Sequence, residues 1–172
     1  QMITEKLISV AMEICVTALM LQPASHTGPS CPELLALAEL ESTFNPKAIG
    51  TVGEVGLYQI RPEYWGRVPK SIAGQTKKAH SMLSVLKVAC VSKADLGYIA
   101  CWNVGITKGQ KLLSHNKGGP YRTKFKKLTK KWKKWYEKEE TRKVLFAHLY
   151  RSYSTKRMVA SETLVLSISR TK

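Results

Sequence analysis

The stretch LAELESTFNPKAIGTVGEVGLYQI, Leu37 to Ile60, decides how this chain is read. It sets Glu39 and Glu41 two residues apart, follows them with Asn45-Pro46, and runs through three glycines into Gly56-Leu57-Tyr58-Gln59-Ile60. Acidic residues are scarce, 12 Asp+Glu against 28 Lys+Arg, so two in one short segment call for an account. On a helix, residues two apart point about 200° away from each other, so Glu39 and Glu41 cannot serve as a paired acid and base. Glu41 falls at the helix end, where Asn45-Pro46 halts the helix and the chain doubles back through a Gly-rich loop. A carboxyl group walled in by apolar residues there favours its protonated form, as a general acid at neutral pH requires.

Around this segment the chain reads as mostly α, one domain, with a small β piece at Gly50–Gly56. Apolar spacing at Leu7, Val10, Ile14, Ala18 and Leu21 predicts a first helix capped by Thr4. Its apolarity also fits a retained signal or anchor. Glu13 interrupts the run, however, and its length is short for a membrane span, which favours a buried helix. The loop QPASHTGPS leads to Pro32 in the first turn of a second helix, ending near Thr43. Further helices are expected over 81–91, 94–102 and 107–114, with a break at NKGGPYR. A long helical signal then runs from Tyr121 to Tyr153 with an interruption near Glu137, and the tail ETLVLSISRTK alternates in places like a strand, though so short a piece makes no sheet. The organisation expected is an N-terminal helix and loop over 1–31, a catalytic domain over 32–153 and a tail of unknown role over 154–172.

Composition sets limits on partners. A net charge of +16 points to anionic ones: nucleic acid, phospholipid, or cell-wall polymers whose peptide stems carry carboxylates. Asp95 is the only aspartate, so carboxylate chemistry falls to glutamate. Cys15, Cys31, Cys90 and Cys101 form no zinc pattern. Cys15, inside an apolar run, reads as a small core residue, leaving one disulfide possible among the other three. No catalytic role is assigned to His26, His80, His115 or His148. TKFKKLTKKWKKWYEK, Thr123 to Lys138, sets eight lysines around a stripe of Phe125, Leu128, Trp132 and Trp135. That stripe packs on a core in the plainer reading. In the functional reading Lys124, Lys127, Lys131 and Lys134 meet an anionic surface, and a nucleic-acid-binding or membrane-binding module is the rival class.

Four elements in order carry a resemblance. Glu41-Ser42-x-Phe44-Asn45-Pro46-x-Ala48 followed by Gly53-x-x-Gly56-Leu57-Tyr58-Gln59-Ile60 resembles the signature of lytic transglycosylases of the soluble Slt type. Cys101-Trp102-Asn103-Val104-Gly105 resembles that family's AYNAG segment, and Glu140-Thr141-Arg142 its ETR element. The resemblance implies a lysozyme-like (α+β), mainly helical domain with a groove for peptidoglycan glycan strands, and needs no metal or cofactor. It implies Glu41 as the catalytic acid and base, with Tyr58, Gln59, Trp102, Asn103 and Glu140 along the sugar path. It implies action in the periplasm, at the cell wall or from a virion, in a secretion or conjugation apparatus or a phage particle. Nothing resembling a nucleic-acid motif accompanies the basic run. A hydrolytic muramidase of goose-lysozyme type keeps the same fold and is the enzymatic alternative. The departures are Gly50 where a serine is common, Trp102 for the AYNAG tyrosine, Val144 for a tyrosine after the last motif, and a compact stretch between Gln59 and Asn103.

Overall fold

A computed structural model describes residues 5–21, 28–91, 95–115 and 119–169, with side chains as far as residue 155. Eight helices are described: α1 Glu5–Leu21, α2 Cys31–Ser42, α3 Pro62–Trp65, α4 Ile72–Ala89, α5 Ile99–Val104, α6 Ile106–Ser114, α7 Gly119–Tyr136 and α8 Glu139–Ser169. The chain divides into two compact units, residues 1–136 and 137–172.

The first unit is organised around α2. Every residue from Cys31 to Ala38 is buried, the signature of a helix that is covered on all sides. Helices α1, α4 and α7 each pack against it, and α5 packs against α4, α6 and α7. Its start is fixed by a capping box: the Glu33 N–H donates to the Ser30 hydroxyl at 3.4 Å while the Ser30 N–H donates to the Glu33 carboxylate at 2.7 Å. Glu33 is itself buried and pairs with the Lys87 ammonium at 2.9 Å, while the Tyr98 hydroxyl donates to it at 2.5 Å. Burial alone would push this carboxyl up, but the Lys87 cation and the hydrogen bonds from Tyr98 and Ser30 outweigh it and hold its pKa below the usual value.

Helix α1 buries Val10, Ala11, Met12, Ile14, Cys15, Thr17 and Ala18 against α2 and α4, as the buried-helix reading expects. Among the described residues no helix is long and apolar enough to cross a membrane. The expected cap Thr4 and most of the QPASHTGPS loop lie outside the described residues. Cys15 does not stand alone: it is bridged to Cys31 across 4.9 Å between Cα atoms, and Cys90 is bridged to Cys101 across 6.6 Å. A fully buried cysteine is compatible with either a thiol or a disulfide, and the closeness of α1 to the start of α2 brings it within reach of a partner.

Helix α4 begins about two and a half turns before the predicted span, with Ser71 accepting from the Gly74 N–H at 3.0 Å as its cap. Its early buried positions are Gln75, Thr76 and His80, so apolar periodicity does not reveal them. Helix α5 starts at Ile99, after turns at Asp95–Tyr98, rather than at residue 94, which is not described. The break predicted at NKGGPYR is shorter than expected, since α7 already begins at Gly119. In α7 the aromatic stripe faces inward: Phe125 and Trp132 are buried, Trp132 lies edge-on to Phe44 at 5.3 Å, and Phe125 edge-on to Tyr98 at 6.5 Å. The predicted β piece consists of two isolated antiparallel bridges, Ile49 with Val55 and Val55 with Ile60.

In the second unit α8 runs through the tail, whose partial alternation marks no strand, as far as Ser169. No glycine or proline interrupts the chain after Glu139, so nothing stops helix propagation. Glu139 and Glu140 occupy its first turn, where negative charge favours the helix.

The loop between α2 and α3 is clamped by one buried amide, Gln75. Its carbonyl oxygen accepts from the Leu57 N–H at 2.7 Å, and its amide donates to the Pro46 carbonyl at 3.0 Å and the Lys70 carbonyl at 3.3 Å. Gly56, at φ +80°, lets the loop come this close, because a Cβ there would collide with the Gln75 amide. We expect Gln75→Ala to orphan the Leu57 N–H and the Pro46 carbonyl and to lower stability by about 1–3 kcal/mol per unsatisfied buried group, read from the midpoint of urea unfolding.

Candidate active site

The end of α2 is where the sequence motif becomes geometry. The Ser42 hydroxyl lies 3.2 Å from the Ala38 carbonyl and 2.8 Å from the Leu57 carbonyl, and accepts from the Asn45 N–H at 3.1 Å. Asn45 in turn accepts from the Lys47 N–H at 3.0 Å, a local turn of the kind asparagine favours. Thr43 and Phe44 both take positive φ, 52° and 64°, so the chain reverses tightly just after Glu41. The Ser-x-x-Asn-Pro portion of the motif thus fastens the helix end to the returning loop, and Glu41 is left facing outward beside it.

The two glutamates of the opening segment separate as the helical geometry requires. Glu39 is a structural anchor: its carboxylate takes the Lys131 ammonium at 2.8 and 3.0 Å and the Trp132 indole N–H at 2.6 Å. Glu41 instead lines a groove of about 740 Å³ together with Gln59, Trp102 and Asn103. Of the side chains predicted from the sequence, these four are brought together. Tyr58 is not part of the set: it is fully buried, with its hydroxyl 3.0 Å from that of Thr76. Burial pushes that phenol far above its ordinary pKa. Leu57 and Tyr58 turn into the core while Gln59, at φ 47°, turns towards the groove. Glu140 stands exposed in the first turn of α8, in the second unit.

Gln59 is held by its amide, which donates to the Gly56 carbonyl at 2.9 Å and more weakly to the Ala48 carbonyl at 3.4 Å. Its amide oxygen lies over Gly50. Trp102 and Asn103 come from α5, whose position is set by the Cys90–Cys101 bridge and by Gly109 of α6. A Cβ at Gly109 would run into Cys101, so only glycine lets α6 cross so closely. The aromatic residues Tyr64 and Trp65 of α3 are substantially exposed on the same groove, and the Lys78 ammonium ties α3 in place through the Trp65 carbonyl at 2.6 Å. Exposed rings along a groove offer flat apolar faces to sugar rings.

Glu41 is partly buried, and burial is the largest influence on it, raising its pKa above the ordinary carboxyl value. Hydrogen bonding from Tyr121 and from Trp102 pulls the other way, and the negative charge of Glu54 adds to the rise. Among the described residues no cation pairs with it. The Tyr121 hydroxyl, at the start of α7, donates directly to the Glu41 carboxylate. Burial and the neighbouring Glu41 charge push the Tyr121 phenol up, so it stays a donor.

Sequence reasoning missed Tyr121, because it stands in GGPYR, read there as a break, some 80 positions from its partner. The substitution of Trp102 for the motif tyrosine is the signal that points to it. With that hydroxyl gone, another donor to Glu41 has to come from elsewhere in the fold. Glu54, Arg61, Tyr64 and Trp65 also line the groove without having been singled out. Among the described residues no cluster of three or more His, Cys, Asp or Glu side chains is arranged to hold a metal ion.

Comparison with protein-family models matches residues 19–87 to the transglycosylase SLT domain. The matched segment runs from the end of α1 to the last turns of α4 and contains Glu41, the Ser-x-x-Asn-Pro turn, the Gly-rich loop and Gln59. The motif resemblance to lytic transglycosylases of the soluble Slt type thus coincides with this family match over residues 19–87. The CWNVG and ETR elements lie beyond it. No curated protein and no solved structure matches the chain.

Replacing Tyr121 with Phe removes a donor that favours the ionised form of Glu41. We expect the Glu41 pKa to rise further in Tyr121→Phe, seen by ¹³C NMR titration of its carboxyl carbon. Turnover should fall roughly tenfold, since a hydrogen bond to a charged group is worth about 1.5–3 kcal/mol.

Proposed function

We propose that the chain is a peptidoglycan lytic transglycosylase that cleaves the β-1,4 bond between N-acetylmuramic acid and N-acetylglucosamine and closes a 1,6-anhydro ring on the muramyl product. The observation that carries this reading is the environment of Glu41. It is a carboxyl whose pKa is raised by burial, in a groove shared with Gln59 and Asn103. The family match over the same segment supports it.

In this mechanism Glu41 starts protonated and gives its proton to the glycosidic oxygen as the bond to the anomeric carbon breaks. The substrate's own N-acetyl oxygen offsets the positive charge that develops there, one of the departures from the two-carboxylate scheme. The carboxylate left behind, with Tyr121 donating to it, accepts the proton of the muramyl 6-hydroxyl as that oxygen bonds to the anomeric carbon. Glu41 ends protonated, and no water is consumed. Gln59 and Asn103, with amides that both donate and accept, orient the sugars, and Trp102 forms part of the wall.

The basic helix fits the same reading. Phe125 and Trp132 are spent in the core, so they are not available to stack on bases or enter a bilayer. Lys131 is committed to Glu39, and Lys124, Lys127 and Lys134 remain exposed to attract a wall rich in stem-peptide carboxylates. A hydrolytic muramidase is the second reading, favoured by the presence of Glu54 in the groove.

Digestion of purified peptidoglycan with mass analysis decides between them: anhydro-muropeptides, lighter by one water, are expected, and fully hydrated products would favour the hydrolase. Glu41→Gln should reduce release by about 100-fold or more, the range for loss of a general acid. It should do so in a folded protein whose stability depends less on pH. The sign follows from the raised pKa. The folded chain holds the Glu41 proton more tightly than the unfolded chain, so stability is fully present below the unfolded value and is lost as pH rises through the folded one. Glutamine removes that loss, which thermal unfolding scanned across acidic to neutral pH will register.

A further inference from the structure

Glu54 sits in the Gly-rich loop, between Gly53 and Val55, and lines the groove opposite the helix that carries Glu41. Nothing in the motif resemblance gives this position a role, since it occupies one of the unspecified places in Gly-x-x-Gly. We propose that Glu54 is a second catalytic carboxylate, placed to set a fixed negative charge against the sugar whose glycosidic bond Glu41 protonates. The inference rests on the glycan-cleaving reading of the groove and holds for either product.

Three observations carry it. The carboxylate is pre-positioned: its Oε2 accepts from the Val52 N–H at 3.1 Å, and the Arg61 guanidinium stands 3.6 Å from its Oε1. Only 24% of its side chain is exposed. A group held this way stabilises charge without having to reorganise during the reaction. Next, the pairing with Arg61 is incomplete. At 3.6 Å the Arg61 Nε is too far to donate, and that nitrogen is buried without a hydrogen-bond partner. Among the described residues Glu54 Oε1 accepts no hydrogen bond, so an arrangement meant only to lock the loop would leave both groups unsatisfied.

The third observation is the missing side chain at Gly50. A Cβ at this position would collide with Glu54 Oε2 and come within 2.7 Å of the Gln59 amide oxygen. In the resembled family a serine is common here and helps position the N-acetyl group. In this chain the space is given to a carboxylate, and the departure at Gly50 and the presence of Glu54 are one substitution seen from two sides. An anion lining the groove there would offset the positive charge that develops at the anomeric centre as the leaving oxygen departs. The same charge also favours the protonated form of Glu41.

The test is Glu54→Gln in the full chain, with Glu54→Asp and Glu41→Gln alongside, assayed on soluble glycan strands across pH. Glutamine still accepts from the Val52 N–H, so the loop is kept and only the charge is lost; unfolding curves verify this. The expected result is a fall in kcat on the order of 100-fold with KM near the parent value. The alkaline limb of the profile should move to lower pH, because Glu41 loses its anionic neighbour while Tyr121 and Arg61, the other titratable groups facing it, are unchanged. Glu54→Asp, which keeps the charge, should retain more activity than Glu54→Gln. Parent-like kcat and an unmoved alkaline limb in Glu54→Gln, with Glu41→Gln inactive, overturn this inference and leave the groove assignment intact. Activity in Glu41→Gln as well overturns the assignment itself.

Discussion

A helix covered on every side can expose its polar groups only at its ends, and α2 is such a helix. Both ends carry a glutamate, and the surroundings drive the two apart. Glu33, at the start, is met by a lysine cation and three hydrogen bonds, and is held as an anion. Glu41, at the other end, meets burial and a like charge, which raise its pKa above the ordinary carboxyl value. One element thus carries two carboxyls whose proton affinities are pushed in opposite directions, and the difference lies in what packs against each. The rest of the first unit can be understood as the machinery that keeps those two ends distinct.

At the Glu41 end that machinery is mostly backbone. Ser42 fastens the helix terminus to the loop, Gln75 clamps the loop from α4, and Gly56 permits the approach. These groups have no part in bond cleavage, but a groove wall made of loop needs its carbonyls and amides satisfied if it is to hold Gln59 still. At the other side α5 and α6 carry Trp102 and Asn103 on a short rigid pair of helices. The groove therefore lies between the loop and the helix that carries Trp102 and Asn103.

Much of this was legible in the residues, and the limits of that reading have physical causes. Glu41, Gln59, Trp102 and Asn103 could be named because their spacing along the chain is itself the signal, and all four line one groove. Helix α1 and the inward stripe of α7 could be read because apolar periodicity reports burial directly. The first turns of α4 could not, since Gln75, Thr76 and His80 are buried polar residues that mimic a surface pattern. Tyr58 was misplaced because a motif fixes which residues occur together and not which way each one turns. Tyr121 and Glu54 reach Glu41 or its groove from separate elements, and such meetings depend on tertiary packing. The tail's partial alternation reports no strand, because without partner strands it has nothing to pair with, and the helix simply continues.

The bridge between Cys90 and Cys101 ties the end of α4 to the helix that bears Trp102 and Asn103. Such links persist in oxidising compartments and are lost where thiols are kept reduced. One jaw of the groove is thus bolted down only in surroundings that allow the bolt to form. A chain kept among reduced thiols would lose that fastening and would hold Trp102 and Asn103 in place by packing alone.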